Sequence, residues 1–477
     1  MARQERASGR SAYETPWPLP IKGLLDTAGT SEIGGAMADV LSNWKSDGSA
    51  MQLRDGFKVI ANETALQRIP FEFGKNVGYI KIFTDRVVFG NISYSRRFPV
   101  DVSSTDISSN TIIVDGNGPA LRFNGSHFTP AAFTTTTGKD PDSFDGIFSH
   151  QDRPYLWDSN TLEFYYGGVG AVTGELTRFP LDRLGSVSGK IMLITSMTVN
   201  ASHGMNDVLV IFTTTGWMIL YEGLDPGDAN DWRLLGRVKI SRPVSKFAVD
   251  RSGADLWILT TRGIISAKNS LALGNEALVS SIAAPITDLL VADVKANRDA
   301  RGWQLKIRED DNECIFNVPT DAGYKQYLFD MEGASWSSSD YPARWWHDID
   351  GNTHFTDTTG RLCQLAPNSS DDGQPITATF HTSWVRLPRH SQIAYLIPTI
   401  IADGELTVSV TVLSDHDQTD GDIAQSIQTI TIKPDNPGDQ VALNDKIGVG
   451  AAGRVFQARW SITGVNVRFE NLLAGLS

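Results

Sequence analysis

The eight histidines are the first residues to test for chemistry, because imidazole serves both as a metal ligand and as a general base. They occupy positions 127, 150, 203, 347, 354, 381, 390 and 416, and none has a spacing to cysteine or carboxylate that builds a metal site. Asp415-His416-Asp417 places a base between two carboxylates, but chain neighbours point to different sides, whereas a catalytic triad needs convergent groups. A solvated loop from Asp415 to Asp422 is the favoured interpretation.

A second candidate for chemistry lies between His347 and His354. A calcium loop beginning at Asp348 requires glycine at its sixth position and glutamate at its twelfth, where this chain has Thr353 and Thr359. The pair Asp350-Gly351 instead predicts a tight hairpin turn.

The same stretch is the densest site for recognising a sugar. Such a site needs exposed aromatic rings beside convergent carboxylates, and Trp345, Trp346, Asp348 and Asp350 are the candidates. In a repeated β fold, tryptophan more often packs between sheets than binds a ligand. A carbohydrate-binding or carbohydrate-active protein is therefore the alternative hypothesis.

The common catalytic motifs are missing from the sequence. It contains no Gly-x-Ser-x-Gly elbow and no phosphate-binding loop. Paired carboxylates for glycoside hydrolysis can be distant in sequence, so that reaction stays open. We assign no catalytic, cofactor-binding or metal-binding residue, and we expect a protein that is not an enzyme and needs no cofactor.

Composition narrows the class of partner. The 477 residues carry a formal net charge of −13, which disfavours a protein that grips nucleic acid by its phosphates. Acidity would suit the wall of a channel through which DNA slides, although solubility alone also explains it. No apolar run is long enough to cross a bilayer, and no export signal is visible. We expect Cys314 and Cys363 to be buried free thiols in a protein made in a reducing cytoplasm.

A repeated unit indicates the fold. An apolar run, a polar turn and a second apolar run recur, with turns at Gly216, Gly263, Asn312 and Gly360 separated by 47, 49 and 48 residues. That interval is about the length of one four-stranded propeller blade. Earlier hairpin turns are predicted at Thr84–Arg86, Asp115–Gly118 and Asp158–Asn160. The pattern predicts an all-β chain with a β-propeller of six or seven blades.

Segments on either side of the repeat complete the predicted architecture. Residues 1–60 are predicted to form an arm and a short helix from Ser31 to Lys45, with Ile33, Met37 and Trp44 on its apolar face. Residues 61–375 form the propeller. Residues 376–477 alternate at period two and form a β-sandwich-like domain.

Two segments resemble tail proteins of short-tailed bacteriophages. The first comprises Pro20-Ile-Lys-Gly-Leu-Leu-Asp26, Ala38-Asp-Val-Leu-Ser-Asn-Trp44 and Gln52-Leu-Arg-Asp-Gly-Phe57, which is similar to an extended start, a Leu-x-Asn-Trp/Phe motif and an Arg-x-Gly-Phe/Tyr motif. The second runs from Thr215-Gly-Trp-Met-Ile-Leu-Tyr-Glu-Gly223 through Asp225-Pro226, Trp232-Arg-Leu-Leu-Gly236, Ile240 and Pro243 to Asp255–Ile264. Together they cover about a quarter of the chain.

The resemblance implies a virion structural protein, the nozzle or hub of a short tail, made in the host bacterial cytoplasm. It implies a homo-oligomeric, usually hexameric, ring below the portal and the adaptor protein, which extends the channel for genomic DNA and takes part in DNA ejection without sequence-specific binding. A tail fibre or needle is a further expected partner. Some members are much larger, so this chain would be a compact version without added tip domains.

In that picture the matched residues are structural. Trp44 would anchor the predicted helix, Gly56 would turn into the next strand, and Trp232 with Gly236 would close a blade. The N-terminal segment and the C-terminal domain would form the ring platform, with residues 1–45 and the loop around His416 as contacts. An intracellular scaffold propeller unrelated to viruses is a third hypothesis, which neighbouring genes for portal and adaptor proteins would exclude.

Overall fold

The computed structural model describes residues 13–26, 35–74, 76–99, 101–201, 204–274, 283–414, 423–436 and 438–476. The chain divides into two compact units. The terminal unit comprises residues up to Lys58, Lys325–Tyr341 and Leu365–Ser477, and the propeller unit comprises Val59–Tyr324 and Pro342–Gln364. The predicted boundaries at 60/61 and 375/376 left residues 325–341 and 365–375 in the propeller, whereas both segments belong to the terminal unit.

The strands are numbered in chain order. Before the propeller they are β1 (Tyr13–Pro16), β2 (Leu41–Ser42), β3 (Trp44–Ser46), β4 (Met51–Leu53) and β5 (Gly56–Ala61). The repeated part contains β6 (Gln67–Phe73), β7 (Asn76–Ile82), β8 (Arg86–Phe89), β9 (Ile92–Ser95), β10 (Ser103–Ile107), β11 (Asn110–Val114), β12 (Leu121–Phe123), β13 (Phe128–Pro130), β14 (Phe133–Thr135), β15 (Gly146–His150), β16 (Arg153–Trp157), β17 (Glu163–Tyr166), β18 (Gly174–Pro180), β19 (Ile191–Ala201), β20 (Gly204–Thr213), β21 (Trp217–Glu222), β22 (Arg233–Lys239), β23 (Val249–Ser252), β24 (Asp255–Thr260), β25 (Gly263–Ser266), β26 (Gln304–Arg308) and β27 (Glu313–Thr320).

The remaining strands are β28 (Gly323–Asp330), β29 (Ser335–Ser339), β30 (Ala343–Ile349), β31 (Asn352–Asp357), β32 (Leu362–Ala366), β33 (Ile376–His381), β34 (Val385–Ser414), β35 (Ile423–Ile432), β36 (Gln440–Leu443) and β37 (Ile447–Leu476). Short 3₁₀ turns span Pro141–Ser143, Asp182–Leu184 and Ala284–Ile286. Among the described residues two segments are helical, α1 (Ala267–Leu273) and α2 (Thr287–Asn297), and no sequence pattern predicts either of them. Within the described part of the chain, no helix is long and apolar enough to span a membrane.

The described residues of the propeller unit form six sheets. They are β6–β9, β10–β13, β14–β18, β19–β22, β23–β25, and β30–β32 with β5, whose residues from Val59 on belong to this unit. The hairpin β26–β27 lies between the last two, since β26 contacts both β23 and β30. The all-β fold and the propeller of six or seven blades are thus confirmed as six sheets and one intervening hairpin.

The propeller core consists of apolar clusters between neighbouring sheets. One cluster joins the sheets of β15–β18 and β19–β22 through Trp157, Ile211 and Trp232. Others join the first sheet to the second, the second to the third and the fourth to the fifth. Because each sheet buries both faces against its neighbours, its strands are apolar on both sides, as in Leu209–Phe212.

The predicted turns are confirmed, with one difference in position. Gly216, Gly263 and Gly360 connect the second and third strands of their sheets, as do the earlier turns at Thr84–Arg86 and Asp115–Gly118. The turn at Asp158–Asn160 connects β16 and β17, the middle two of the four antiparallel strands β15–β18. Asn312, with a φ of 49°, instead connects β26 and β27, the first two strands of their hairpin. The interval of about 48 residues therefore does not mark the same position in every repeat.

The predicted helix from Ser31 to Lys45 is wrong over the described residues from Gly35 on. Leu41–Ser42 and Trp44–Ser46 are strands, and Asn43 between them has a φ of 63°. A left-handed residue breaks helical geometry and lets Leu41 and Trp44 both turn inward from two short strands, which imitates helical spacing. Residues 31–34 lie outside the described part of the chain.

The terminal unit is all β, and its strands belong to one sheet. Its main sheet runs β28-β29-β2-β33-β37-β34-β35, with β1, β3, β4 and β36 paired at its sides. β29 joins this sheet because Ser42 of β2 pairs with Ser338, which explains why residues 325–341 belong to this unit. One face is buried by the aromatic residues Trp44, Phe380, Trp460 and Phe469, whose rings contact one another. The strands predicted beyond residue 376 are present.

Gly216 offers a direct test of the repeated turn. It has a φ of 84°, and a Cβ there would lie 2.1 Å from the carbonyl oxygen of Ile240, a backbone atom that cannot move aside. We expect Gly216→Ala to lower the free energy of unfolding by about 3 kcal/mol, from backbone strain and overpacking together. Gly138→Ala is the control, because Gly138 has a φ of 75° but no atom within 4 Å of the added Cβ, so only strain of about 1 kcal/mol remains. Equal shifts of the urea midpoint for both variants would contradict the assignment of a clash.

Candidate functional site

The two N-terminal motifs of the resemblance meet at Arg54. The Arg54 side chain is 1% exposed. Its guanidinium donates to Asp371 at 2.9 and 2.7 Å and to Asp340 at 3.0 Å. Its Nε donates at 2.8 Å to the side-chain oxygen of Asn43, from the Leu-Ser-Asn-Trp motif. Arg54 therefore holds four parts of the terminal unit, around residues 43, 54, 340 and 371, in one network.

Neighbouring groups complete this buried network. Tyr341 places its ring 3.9 Å from the guanidinium carbon, and its hydroxyl donates to the Asp55 carbonyl at 2.6 Å. Burial alone would lower the pKa of Arg54, but Tyr341 and the Asp371 and Asp340 carboxylates together raise it above its ordinary value. Arg54 therefore stays positively charged beside Tyr341, Asp371 and Asp340 at any physiological pH.

Gly56 is required by the same construction. A Cβ on Gly56 would lie 2.3 Å from the Ser370 carbonyl oxygen and 2.4 Å from that of Ser369. The chain next to Arg54 must pass this close to residues 369–371 for Asp371 to reach the guanidinium. The Arg-x-Gly motif therefore supplies a buried cation and the space beside it, which is a structural function, as the resemblance predicts for these residues.

The central opening of the propeller is a second candidate site. In sheets whose strands alternate in direction, the turn between strands two and three lies at the same end as the segment that enters strand one. At this end a cavity of about 400 Å³ is lined by entry segments and turns, namely Pro99, Asp101, Asp115, Asp145, Ser159, Ile191, Met192, Thr214, Lys246 and Arg301.

Lys246 spans this opening. It precedes β23, yet its Nζ donates to the Asp101 carbonyl at 3.3 Å, Ser103 Oγ at 3.0 Å and the Asp145 carbonyl at 3.4 Å, at the entries to β10 and β15. Arg301, which precedes β26, reaches Asp101 with a separation of 3.5 Å. Since β23 and β26 lie across the ring from β10, these two side chains cross the centre.

The charged side chains in the opening interact with one another. Burial lowers the pKa of Lys246, opposed by Asp145 and Asp101, and burial raises the pKa of Asp101, opposed by Arg301 and Lys246. Asp115 pairs with Arg96 at 2.6 Å. The geometry suits a small polar ligand in size, but its main physical effect is to close the propeller axis with bridging side chains.

The sugar-site candidates do not form an exposed platform. Trp345 and Trp346 are 5% and 2% exposed, and the indole of Trp346 donates to Asn317 at 3.1 Å. Asp348 pairs with Lys306 at 2.7 Å, and Asp350 with Gly351 forms the predicted hairpin turn. The tryptophans pack inside the propeller, so the arrangement needed for stacking on a sugar is absent at these four residues.

The histidines near this stretch are also internal. His347 and His354 face each other across β30 and β31, and both rings contact the ring of Tyr79, at 4.9 and 5.7 Å. Burial lowers the pKa of both histidines. Among the described residues, no group of three or more histidines, cysteines and carboxylates could hold a metal ion. Cys314 and Cys363 are buried and form no disulfide, as predicted.

Several predicted contact residues lie outside the described part of the chain. These are residues 1–12 and 27–34 of the N-terminal segment, and 415–422 with Asp415, His416 and Asp417. The Arg-x-Gly motif does not by itself identify Arg54 as the centre of a network. The sequence signal at Lys246 is equally slight, since Lys246 is simply the one charged residue between Arg242 and Asp250.

Comparison with known proteins adds little beyond the fold. No protein-family model matches the chain, and no curated protein matches it. Among solved structures, YCF48 from Cyanidioschyzon merolae aligns with 13% identity and a TM-score of 0.36, covering 74% of this chain and 98% of the other. Sqt1 from Saccharomyces cerevisiae aligns with 10% identity and a TM-score of 0.38, covering 66% and 98%. The designed protein Ika8 aligns with 9% identity and a TM-score of 0.38, covering 70% and 98%. The assignment to bacteriophage tail proteins stays a prediction.

Proposed function

We propose that this protein is a structural subunit of a short bacteriophage tail, a nozzle or hub that forms a ring and extends the DNA channel below the adaptor. The observation that carries the proposal is the meeting of the two N-terminal motifs at Arg54. Residues that resemble the tail proteins are the ones that assemble the terminal unit, which is the expected platform of the ring.

Two further features support a mechanical role over a catalytic one. The propeller opening is crossed by Lys246 and Arg301, so the propeller axis is unsuited to conduct a polymer. A DNA channel must then be enclosed between several copies of the chain, which is the arrangement of a closed ring. The net charge of −13 favours a wall that does not retain phosphates.

The mechanism follows from geometry. Copies of the chain close a ring on the adaptor, genomic DNA is held in the lumen without sequence-specific contacts, and the same lumen conducts it during ejection. A fibre or needle attached to the ring would supply the signal to open. No step requires a bond to be made or broken by this chain.

Ring formation tests the proposal. We expect the purified protein, alone or mixed with the adaptor protein from the same genome, to form rings that negative-stain microscopy shows directly and that light scattering sizes as a closed, usually sixfold, oligomer. Arg54→Met should reduce ring formation. Arg178→Met, which removes an ion pair with Glu163 in the propeller unit, should not. A chain that stays monomeric at high concentration with the adaptor present would overturn the proposal.

A further inference from the structure

The outer face of the terminal sheet carries two continuous rows of serine and threonine. Hydrogen-bonded register places side chains of neighbouring strands side by side on one face. The first row crosses four strands, β33, β37, β34 and β35, as Thr377, Thr463, Thr407 and Thr431. The second crosses six strands, β29, β2, β33, β37, β34 and β35, as Ser338, Ser42, Thr379, Ser461, Ser409 and Thr429. We call these ten residues the hydroxyl face.

The hydroxyl face is the outward side of strands whose other side is the core. Between its members lie the buried residues Ala378, Val408, Trp460 and Ile462, as alternation in a strand requires. All ten members of the face are exposed or half-buried. At about 4.8 Å between strands, the second row extends over about 24 Å.

Neither row contains a charged residue. The two rows run side by side over β33, β37, β34 and β35, so the positions that they share on these strands are uncharged. The outer propeller strand β22, by comparison, carries Arg233, Arg237 and Lys239. Charges lie beside the rows on both sides. Glu405 pairs with Lys433 at 3.5 Å next to the first row, and Asp39 pairs with His381 at 3.1 Å next to the second. Arg459 also lies next to the second row, where its Nε donates to Gln457 at 3.0 Å.

The hydroxyls of the face also bond to one another. Ser409 and Thr429 are 2.6 Å apart, Thr377 and Thr463 are 2.8 Å apart, and Thr407 and Thr431 are 3.2 Å apart. Donors already engaged across strands have less to offer a phosphate. The result is a surface that is polar, neutral and largely satisfied within itself.

Such a surface is poorly suited to hold a macromolecule. Protein interfaces are enriched in aromatic residues, methionine and arginine, and serine is depleted in them. Nucleic acid is retained by lysine and arginine, or by aromatic rings on which bases stack, and the face has neither. It is suited to lie beside a polyanion that must move past it.

We infer that the hydroxyl face lines the lumen of the ring and is the wall along which duplex DNA slides. This inference rests on the proposed function, since a lumen exists only if the chain forms a ring. It assigns the terminal sheet, and within it residues such as Thr407, Ser409 and Thr429, as the surface that faces DNA.

The test adds lysine residues to the hydroxyl face so that it binds DNA phosphates. In the variant Ser409→Lys with Thr429→Lys, each copy adds two neighbouring cations to the face, and Thr407→Lys with Thr431→Lys repeats this in the other row. Assembled rings of the unmodified protein are expected to release duplex DNA. Variant rings should retain linear duplex, and neutralising four phosphates would make that retention fall about 100-fold between 50 and 200 mM salt.

The topology of the DNA identifies where it binds. A lumen admits DNA only through a free end, so closed circular plasmid should neither bind variant rings nor compete with linear duplex. The control Thr173→Lys with Thr177→Lys adds the same charges at exposed residues of the propeller unit, and any binding it causes should not distinguish linear from circular DNA.

Three results would overturn the inference. Loss of rings in both lysine variants, with rings intact in the control, would make the face a contact between subunits. Equal binding of linear and circular DNA would place it outside the ring, and unchanged release of linear DNA would show that it does not face DNA. Failure of the unmodified chain to form rings would instead overturn the proposed function, which microscopy of the same preparations reveals separately.

Discussion

Replacing Arg54 by methionine is expected to lower the free energy of unfolding of the terminal unit by about 3 kcal/mol. Removing one member of a buried ion pair leaves its partners without compensation, which costs about 3–5 kcal/mol. The lower end applies because Asp371 and Asp340 keep 22% and 67% exposure and can recover some hydration, while Asn43 loses a donor in a buried position. Arg54→Lys should recover less than half, because one ammonium cannot serve Asn43, Asp371 and Asp340 in their present geometry.

Hydrogen exchange measured by mass spectrometry would locate this effect. Peptides of the terminal unit, such as those from residues 376–414, should lose protection in Arg54→Met, whereas peptides from 103–266 should change less. Lys45→Met is the matched control, since Lys45 pairs with Asp55 at 3.0 Å but is 32% exposed, and such pairs contribute less than about 1 kcal/mol. Equal losses of protection for the two variants would show that the buried Arg54 network stabilises the terminal unit no more than the exposed Lys45–Asp55 pair does.

Acidification from pH 6.5 to pH 4 is expected to destabilise the propeller unit, with about 3 kcal/mol attributable to His150 alone. Burial lowers the pKa of His150 to about 4, with Asp207 opposing the shift and Arg251 adding to it. An unfolded histidine takes up its proton near pH 6.5 while the folded one does not, so protons favour the unfolded chain throughout this window. Stability is therefore complete above pH 6.5 and falls by up to about 1.4 kcal/mol per pH unit towards pH 4. Burial lowers the pKa of His347 as well, which acts in the same direction.

Replacement of the buried imidazole separates its effect from that of titrating carboxylates. His150 is 3% exposed and its ring lies 6.1 Å from that of Tyr155, so phenylalanine fits the apolar side of the site. His150→Phe should show a shallower loss of urea stability between pH 6.5 and pH 4 than the unmodified protein. His127→Phe, which replaces an exposed imidazole, should keep the unmodified pH dependence. If His150→Phe loses stability as steeply as the unmodified protein, protonation of His150 is not the cause.

The structure alters how the resemblance to tail proteins is understood. Trp44 is fully buried, as an anchoring role requires, but it anchors a strand against Phe380 and not a helix. Trp232 closes its blade by stacking on Tyr221 at 5.2 Å, as the resemblance implied. The buried ion pairs of Arg54 explain the Arg-x-Gly motif, whose function the sequence pattern alone does not show.

Turns and strands were predictable because they depend on local chemistry. Tight turns need residues that tolerate a positive φ, and Gly216, Gly360 and Asp350-Gly351 provide them. The apolar runs on either side of these turns are short and favour strands. The same local rules failed at Asn43, where two short strands joined by one left-handed residue have the spacing of a helix. The helices α1 and α2 were missed because they interrupt a strand repeat that had been extended across them.

The sequence by itself therefore determined that this protein is an all-β chain with a repeated hairpin, two cysteines and no recognisable catalytic motif. Tertiary structure alone decided that residues 325–341 join the terminal unit, that Arg54 meets Asp371 across 317 residues, and that ten hydroxyl residues from six strands form one face. The physical reason is the distance along the chain over which the deciding interactions act. Backbone conformation and the alternation of a strand follow from neighbours in the chain, whereas the partner of a buried charge and the register between distant strands follow from how the whole unit packs.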